Sequence, residues 1–144
     1  MVLTDGTTMS GTEFLTREFG AELEVAAFHP AEGAVNLYRT QRFANDKQRT
    51  LASMMSPTCP LPGCRHGADH CETHHVTAWR HGGETNLNNL VPLCRYHNGT
   101  NDDDPWMVKR GRICIRDGTP VWVSPNGYEV PNDTPGATQL LFGA

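Results

Sequence analysis

The sequence predicts a small α+β domain in which a metal ion supplements a modest hydrophobic core. The chain has 144 residues, enough for one ordinary domain. Only 38% of the residues are hydrophobic, and 14 glycines and 10 prolines interrupt the chain. Short alternating segments between these breakers indicate small hairpins and short helices. A loop-rich chain of this kind needs a further source of folding free energy, and paired Cys and His residues offer the ligands for a metal.

Residues 1–44 are expected to form a supporting helix and a β-hairpin. Thr8 or Ser10 can cap a helix over 12–19, which Gly20 would end. Two alternating segments then predict the strands of a hairpin, 22–28 and 34–43.

Residues 45–104 are expected to form the functional core. Asn45 and Gln48 have the spacing of a capping box, so a helix should run from there to about Met55 and end before Pro57. The breaker-rich loop that follows has no periodicity. Beyond it the sequence predicts two strands and the start of a short helix near Cys94, the strands covering 74–79 and 89–93 with a turn at 81–83.

Residues 105–144 are expected to form a C-terminal hairpin and a mobile tail, all within the same domain. The apolar segments 112–115 and 121–123 flank Asp117-Gly118, a dipeptide typical of tight hairpin turns. From Pro131 onwards, turn-forming residues dominate until 140–142.

Composition excludes several classes of protein. No window approaches 18 consecutive apolar residues, and the first ten residues lack the pattern of a secretory signal, so no membrane association is expected. Five cysteines in such a chain indicate a reducing, cytoplasmic location rather than a disulfide framework. The net charge is −4, but residues 39–98 carry seven Lys or Arg against four acidic residues, and six of the seven histidines. A polyanionic partner is therefore permitted.

Two pairs of residues have the spacing of metal ligands. Cys59 and Cys64 lie in the proline-rich loop, and Cys94 and His97 lie at the start of the last predicted helix. Together they complete a tetrahedral Cys3His zinc site that would tie the loop to the helix. Cys71 and Cys114 are left over. Cys71 could compete as a ligand, but its spacing pairs poorly, and we expect both to be buried free thiols. The absence of a Cys-x-x-Cys motif argues against a redox or metal-storage protein.

The segment between and around these pairs resembles a known family. The run CETHHVTAWRHGGETNLNNLVPLCRYHN, residues 71–98, is similar to the ββα-metal finger of HNH endonucleases. It is especially similar to bacterial HNH proteins that carry a large domain of unknown function ahead of the nuclease. The close match covers about 45–100, and that preceding domain is absent, so we expect either a short version or a fragment.

The resemblance implies a role for each of several residues. His74 would bind a catalytic divalent ion together with Asn98, His75 would act as general base, and Asn89 would fix the loop between the strands. Many relatives have His at the position of Asn98, and a neutral oxygen donor favours Mg²⁺ or Mn²⁺. The implied activity is hydrolysis of DNA phosphodiester bonds to 5′-phosphate and 3′-hydroxyl ends. Double-stranded DNA is the expected substrate, with RNA left open.

The residues themselves support this chemistry but leave alternatives open. Imidazole titrates near neutrality, as a general base requires. Neighbouring residues on a flat strand face opposite sides, so His74 and His75 share a site only if the strand twists or ends there. Asp102, Asp103 and Asp104 are weaker candidate ligands of the catalytic ion, with Asp102 about one helical turn beyond Asn98. His66, His70 and His81 are expected to be exposed loop residues, and seven cations are candidates for phosphate contacts: Arg39, Arg42, Lys47, Arg49, Arg65, Arg80 and Arg95. The alternative function is an inactive, zinc-stabilised module that binds nucleic acid.

Overall fold

The computed structural model describes residues 6, 8–10, 12, 13, 39 and 41–132. In chain order, the elements with complete bounds are α1 (Asp46–Met55), β1 (Cys71–His75), β2 (Leu90–Cys94), α2 (Arg95–Thr100), β3 (Arg112–Arg116), β4 (Thr119–Val123) and β5 (Glu129–Pro131). The consecutive unit β1–β2–α2 has the expected ββα order, and the predicted α+β class is confirmed. None of the helices in the described part of the chain has the length and hydropathy of a bilayer-spanning segment.

The expected N-terminal helix is described only at its first turn. Thr12 and Glu13 are helical, and Ser10 and Glu13 form a reciprocal capping box. The Ser10 N–H donates to Glu13 Oε2 over 2.7 Å, and the Glu13 N–H donates to Ser10 Oγ over 3.1 Å. Of the two expected caps, Ser10 therefore makes the contact. The rest of that helix and the hairpin predicted over 22–43 lie outside the described residues, apart from Arg39 and 41–43.

Helix α1 begins and ends where the sequence predicts. Asn45 Oδ1 accepts from the Gln48 N–H over 2.9 Å, and Gln48 Oε1 accepts from the Asn45 N–H over 3.1 Å. Ser56 follows the last turn, immediately before Pro57. The helix packs a small apolar cluster against the β1–β2 unit, built from Ala44, Ala52, Leu87 and Leu90. Because this cluster joins α1 to the loop before β2, the helix can position that loop.

Strands β1 and β2 pair antiparallel, with Cys71 opposite Cys94 and His75 opposite Leu90. The first strand thus occupies 71–75, and its predicted bounds of 74–79 were wrong. The second strand begins one residue later than predicted. After His75 the backbone N–H and C=O of Thr77 bond to the side chain of Asn89, so they are not available to a strand partner. The chain then passes through a 3-10 turn at Trp79–His81.

The main apolar cluster lies between β2, β3 and the cysteine-containing loop. Leu93 and Ile113 are fully buried in it, together with Val91 and Leu61. Three of the expected metal ligands belong to the same cluster, Cys59, Cys64 and Cys94. The core and the expected zinc site are therefore one structural unit.

The C-terminal hairpin is confirmed, and a third strand extends it. Asp117 and Gly118 join β3 to β4 with φ values of +50° and +77°, as a type I′ turn requires. Strand β5 pairs with β4 at the open edge. The sequence did not predict β5, because its three residues are all exposed and end in Pro131, so they carry no alternating pattern. Residues 133–144, including the predicted tail, lie outside the described residues.

Candidate functional site

The loop between α1 and β1 brings two cysteines towards one point. The Cys59 N–H donates to His66 O over 2.9 Å, and the Cys64 N–H donates to Leu61 O over 3.0 Å. Gly63, with φ +76°, permits the tight turn between the two cysteines. Backbone geometry, rather than apolar packing alone, therefore makes the two thiols converge.

Cys94 and His97 approach the same point from the junction of β2 and α2. Cys94 is the last residue of β2 and the N-cap of α2, which places His97 in the first turn of the helix. His97 Nδ1 lies 3.4 Å from Cys59 Sγ and 3.3 Å from Cys94 Sγ. The four donor atoms of Cys59, Cys64, Cys94 and His97 all lie within 4.8 Å of one another. Ligands of tetrahedral zinc are roughly 3.5–3.8 Å apart for the usual bond lengths, so the predicted set fits a zinc ion.

Zinc binding at these residues would displace protons from the thiols. A hydrogen bond with the Cys71 side chain, followed by burial, raises the pKa of the Cys59 thiol. Burial also raises the pKa of Cys64 to about 11. Zinc binding displaces such thiol protons, so the free energy of binding is coupled to both pH and folding. Burial and the charge of His66 lower the pKa of His97, which favours the neutral imidazole that binds zinc.

The remaining cysteines and the nearby histidine lie outside the set of four. Cys71 is half-buried and its thiol donates to Gly67 O over 3.3 Å. Cys114 is buried in β3, and both are free thiols, as expected. His66, which we expected to be a solvated loop residue, is exposed but has Nδ1 3.4 Å from Cys64 Sγ. It therefore borders the zinc set without belonging to it.

His74 and Asn98 are 24 residues apart in the chain but meet where β1 packs against α2. His74 Nδ1 lies 2.8 Å from Asn98 Oδ1. Two neighbouring ligands of an octahedral ion with bonds of about 2.1 Å are about 3 Å apart, so this pair fits one Mg²⁺ or Mn²⁺ ion. Asn98 Nδ2 donates to the Glu72 carboxylate, which directs the amide oxygen towards His74. Burial lowers the pKa of His74, against opposing effects of Asn98 and Asp103, and so favours the neutral ring that binds metals.

His75 occupies the last position of β1 and is half-buried. Its Nε2 lies 2.9 Å from Thr85 Oγ1, and its ring packs edge-on against Trp79 at a centroid distance of 6.0 Å. Burial lowers its pKa, and the charges of His74 and Arg42 lower it further. A neutral imidazole at neutral pH is what a general base requires.

The two histidines line one cavity of about 460 Å³. Neighbouring residues on a flat strand face opposite sides. Because β1 ends at His75, the backbone can turn there, and both histidines reach the same cavity. Arg42, Phe43 and Arg49 line the same cavity. Two histidines, two cations and the Asp103 carboxylate thus line one concave surface.

Asn89 fixes the loop between the strands through three hydrogen bonds. Its Oδ1 accepts from the Thr77 N–H over 2.8 Å, and its Nδ2 donates to Thr77 O over 3.1 Å and to Glu84 O over 2.9 Å. These contacts are those of a loop-fixing amide, and they hold the chain that leaves His75.

Asp102 serves a different purpose from the weaker metal role considered for it. Its carboxylate accepts from the backbone N–H groups of Lys109, Arg110 and Gly111. Burial raises the pKa of Asp102, but these N–H groups outweigh that effect and hold the pKa below its usual value. The neighbouring Asp103 lies closer to the candidate ion pair, with Oδ1 3.9 Å from His74 Nε2.

The Arg39 side chain also makes its contacts within the protein. Its guanidinium lies 4.0 Å from the centroid of the Trp79 ring and donates to Trp79 O and Gly83 O. It supports the loop after β1, so it is a weaker candidate for a phosphate contact than the sequence suggested. His70 and His81 are exposed, as expected.

Sequence reasoning missed Thr85 and Asn101. Thr85 contacts His75, while Asn101 Nδ2 lies 3.2 Å from His74 Nε2. Asn101 Oδ1 accepts from the Ile113 N–H over 2.7 Å, which fixes the orientation of its amide. Isolated polar residues in loops carry no periodic signal, so only the spacing of Asn101 from Asn98, about one helical turn, offered a clue.

Comparisons with known proteins agree with this geometry. Residues 58–103 match the family model described as HNH endonuclease. An uncharacterized protein of Mycobacterium bovis is 40% identical over 58 residues, which are 40% of this chain and 13% of that protein. Two uncharacterized Mycobacterium tuberculosis proteins are 36% identical over 64 residues, covering 44% of this chain and 15% of the relative, and 30% identical over 89 residues, covering 62% and 19%.

The chain spans less than a fifth of the length of each of these relatives. No solved structure matches the chain significantly.

Proposed function

We propose that the protein is a metal-dependent endonuclease that hydrolyses phosphodiester bonds of DNA, because residues 58–103 match the family model described as HNH endonuclease. The observation that carries this proposal is the cavity shared by His74 and His75. One histidine is paired with an oxygen donor at the distance of two ion ligands, and the other is a neutral base beside it.

His74 Nδ1 and Asn98 Oδ1 would hold the catalytic ion, which supplies positive charge to stabilise the phosphate oxygens during hydrolysis. Mg²⁺ or Mn²⁺ suits this mixed set better than a softer ion does. Asn101 Nδ2 donates to His74 Nε2 over 3.2 Å, so the ring proton resides on Nδ1 and is donated to Asn98 Oδ1. Ion binding through Nδ1 would require that proton to move to Nε2. The contact of Nε2 with Asn101 would then be exchanged for one with the Asp103 carboxylate, which lies 3.9 Å from Nε2.

His75 would accept the proton of the attacking water. Its lowered pKa keeps the ring unprotonated at neutral pH, and its position at the end of β1 places it on the same cavity as His74. Attack by water at phosphorus with departure of the 3′ oxygen gives the expected 5′-phosphate and 3′-hydroxyl ends. Asn89 would contribute indirectly, because it fixes the backbone that follows His75.

The cations of the cavity would contact the DNA backbone. Arg42 is exposed and its guanidinium lies 5.6 Å from the centroid of the Phe43 ring, at the rim of the cavity. Arg49 forms an ion pair with Asp46 and donates to Ala44 O, so Arg42 is the stronger candidate for a phosphate contact. Backbone contacts of this kind give affinity with little sequence selectivity, and double-stranded DNA is the substrate that we propose.

The zinc ion would have a structural role. Cys59, Cys64, Cys94 and His97 would surround it completely, which leaves no position for a substrate. The zinc ion would also help to position the catalytic site, because its ligand His97 directly precedes Asn98 in α2.

Supercoiled plasmid is the test substrate, incubated with pure protein and Mg²⁺, Mn²⁺ or EDTA. We expect nicking or linearisation with either ion and none with EDTA. His75→Ala should reduce cleavage by about 10² or more, the usual scale for loss of a general base, while zinc content and fold are retained. His81→Ala, at an exposed histidine six residues away, serves as the matched control and should cleave normally.

An inactive nucleic-acid-binding module is the rival function. It predicts that wild-type protein shifts DNA in a gel yet never cleaves it with any divalent ion. Equal cleavage by wild type and His75→Ala would instead remove His75 from the mechanism.

A further inference from the structure

We propose that Thr85 is a positioning residue for His75, which fixes the proton of the imidazole on Nε2 and leaves Nδ1 as the basic atom. This inference rests on the proposed nuclease function and adds to it a residue outside the HNH pair. Thr85 lies ten residues beyond His75, in the loop before β2, and it is fully buried.

The direction of the hydrogen bond follows from the neighbours of the Thr85 hydroxyl. Thr85 Oγ1 lies 2.7 Å from Gln41 O and 3.1 Å from Arg42 O. Both carbonyl oxygens can only accept, so the single hydroxyl proton must be directed at them. If the hydroxyl proton pointed elsewhere, the oxygen atoms of Thr85 Oγ1 and Gln41 O would face each other at 2.7 Å with no hydrogen between them, which is repulsive.

The Thr85 oxygen therefore presents a lone pair to His75. At a distance of 2.9 Å, the favourable arrangement is a donated N–H from His75 Nε2 to Thr85 Oγ1. A neutral imidazole carries one ring proton, so Nδ1 retains its lone pair. The identity of the basic nitrogen is thus set by the backbone of residues 41 and 42, through one buried hydroxyl.

Helix α1 holds Thr85 in place. Gln48 Nε2 donates to Thr85 O over 2.8 Å, and Gln48 is itself fully buried and part of the α1 capping box. The N-terminal end of α1 therefore binds Thr85 at its backbone, while the segment just before α1 binds its hydroxyl. This connection explains how a helix outside the ββα unit can influence the catalytic histidine.

The ring of His75 is held on a second side by Trp79. The two rings pack edge-on at 6.0 Å, and the Arg39 guanidinium covers Trp79. The ring contact restricts orientation but cannot choose a tautomer, because it involves no hydrogen bond to a ring nitrogen. Thr85 supplies that choice.

Two substitutions separate the hydroxyl from the shape of the side chain. Thr85→Val keeps the volume and the branching but removes the hydroxyl, whereas Thr85→Ser keeps the hydroxyl. We expect Thr85→Val to cleave plasmid at least about ten-fold more slowly, the scale on which lost support of a functional histidine acts. Thr85→Ser should stay within a few-fold of wild type, and both should retain wild-type zinc content.

Nitrogen-15 NMR of the histidine side chains, with His75 assigned by comparison with His75→Ala, provides a readout that needs no cleavage. Above the pKa of the ring, wild type should show the proton on Nε2 as a ring N–H resonance protected from solvent exchange. Thr85→Ser should keep this resonance and Thr85→Val should lose it to exchange. The wild-type spectrum alone decides the tautomer, even if the Val variant fails to fold.

A wild-type proton on Nδ1 would overturn the inference, as would a Val variant with wild-type cleavage and an unchanged resonance. These outcomes are distinct from failure of the proposed function. A protein that never cleaves DNA but shows the protected Nε2 proton would contradict nuclease activity and leave the positioning contact intact.

Discussion

His74 Nδ1 and Asn98 Oδ1 lie 2.8 Å apart although 24 residues separate them in the chain. Strand β1 provides the histidine and helix α2 provides the amide, and the antiparallel pairing of β1 with β2 brings the two together. The bond from Asn98 Nδ2 to Glu72 turns the amide oxygen towards the histidine. The fold therefore sets the orientation of this amide relative to His74.

Asn98→Ala should raise the Mg²⁺ or Mn²⁺ concentration needed for cleavage and lower the maximal rate. Asn98→His should keep some activity and shift the preference towards softer ions such as Ni²⁺, because imidazole replaces an oxygen donor. Titration of both variants with Mg²⁺, Mn²⁺ and Ni²⁺ on one DNA substrate measures this. Asn126→Ala, at an exposed asparagine between β4 and β5, is the control. If neither variant changes the metal titration curve, Asn98 does not bind the ion, and Asp103 becomes the next candidate ligand beside His74.

Cys94→Ser should release zinc and unfold the ββα unit, because the free energy of binding structural zinc is largely folding free energy. Cys94 lies in the main core as well as in the zinc set, so both contributions are lost together. Metal analysis of the purified protein, with circular dichroism, gives the result. Cys114→Ser changes a buried cysteine outside the set and should keep its zinc. A folded Cys94→Ser protein with wild-type zinc content would show that the ligand set is wrong.

Asn89→Ala should destabilise the protein by about 1 kcal/mol, because three hydrogen bonds to the backbone of the exposed residues Thr77 and Glu84 are lost and water can replace only part of them. Cleavage should fall with it, since the loop fixed by Asn89 directly follows His75. Thermal unfolding and plasmid cleavage are the two measurements. Asn88→Ala removes the exposed neighbouring amide and should alter neither. Normal stability in Asn89→Ala would mean that the three hydrogen bonds contribute nothing net.

Gly83→Ala should destabilise the same loop. A Cβ atom at Gly83 would lie 1.7 Å from Thr77 O, so the backbone of Thr77 or Gly83 must move. Such overpacking costs about 1–3 kcal/mol. The matched control is Gly99→Ala in α2, where a Cβ would meet no atom within 4 Å and should stabilise the helix slightly. Unfolding by urea compares the two, and a Gly83→Ala protein as stable as wild type would contradict the close approach.

Features that depend on nearby residues were predictable from the sequence. The capping box of Asn45 and Gln48 and the turn at Asp117-Gly118 each depend on residues within one turn of chain, so their chemistry can be recognised locally. The cluster of Cys59, Cys64, Cys94 and His97 was also predictable, because each pair has a spacing that lets two side chains reach one ion. The early end of β1 was not, because it depends on the Asn89 amide, which binds Thr77 from twelve residues away.

The α+β class, helix α1, the C-terminal turn and the four members of the Cys3His cluster can be read from the sequence alone. Which side chains surround the two histidines depends on the tertiary structure. Thr85 reaches His75 because the loop before β2 folds against the segment before α1, and Asp103 rather than Asp102 faces His74. Contacts of this kind join single polar residues across loops. They have neither the periodicity of a helix or strand nor the fixed spacing of a ligand pair, so their partners are set only when the chain packs.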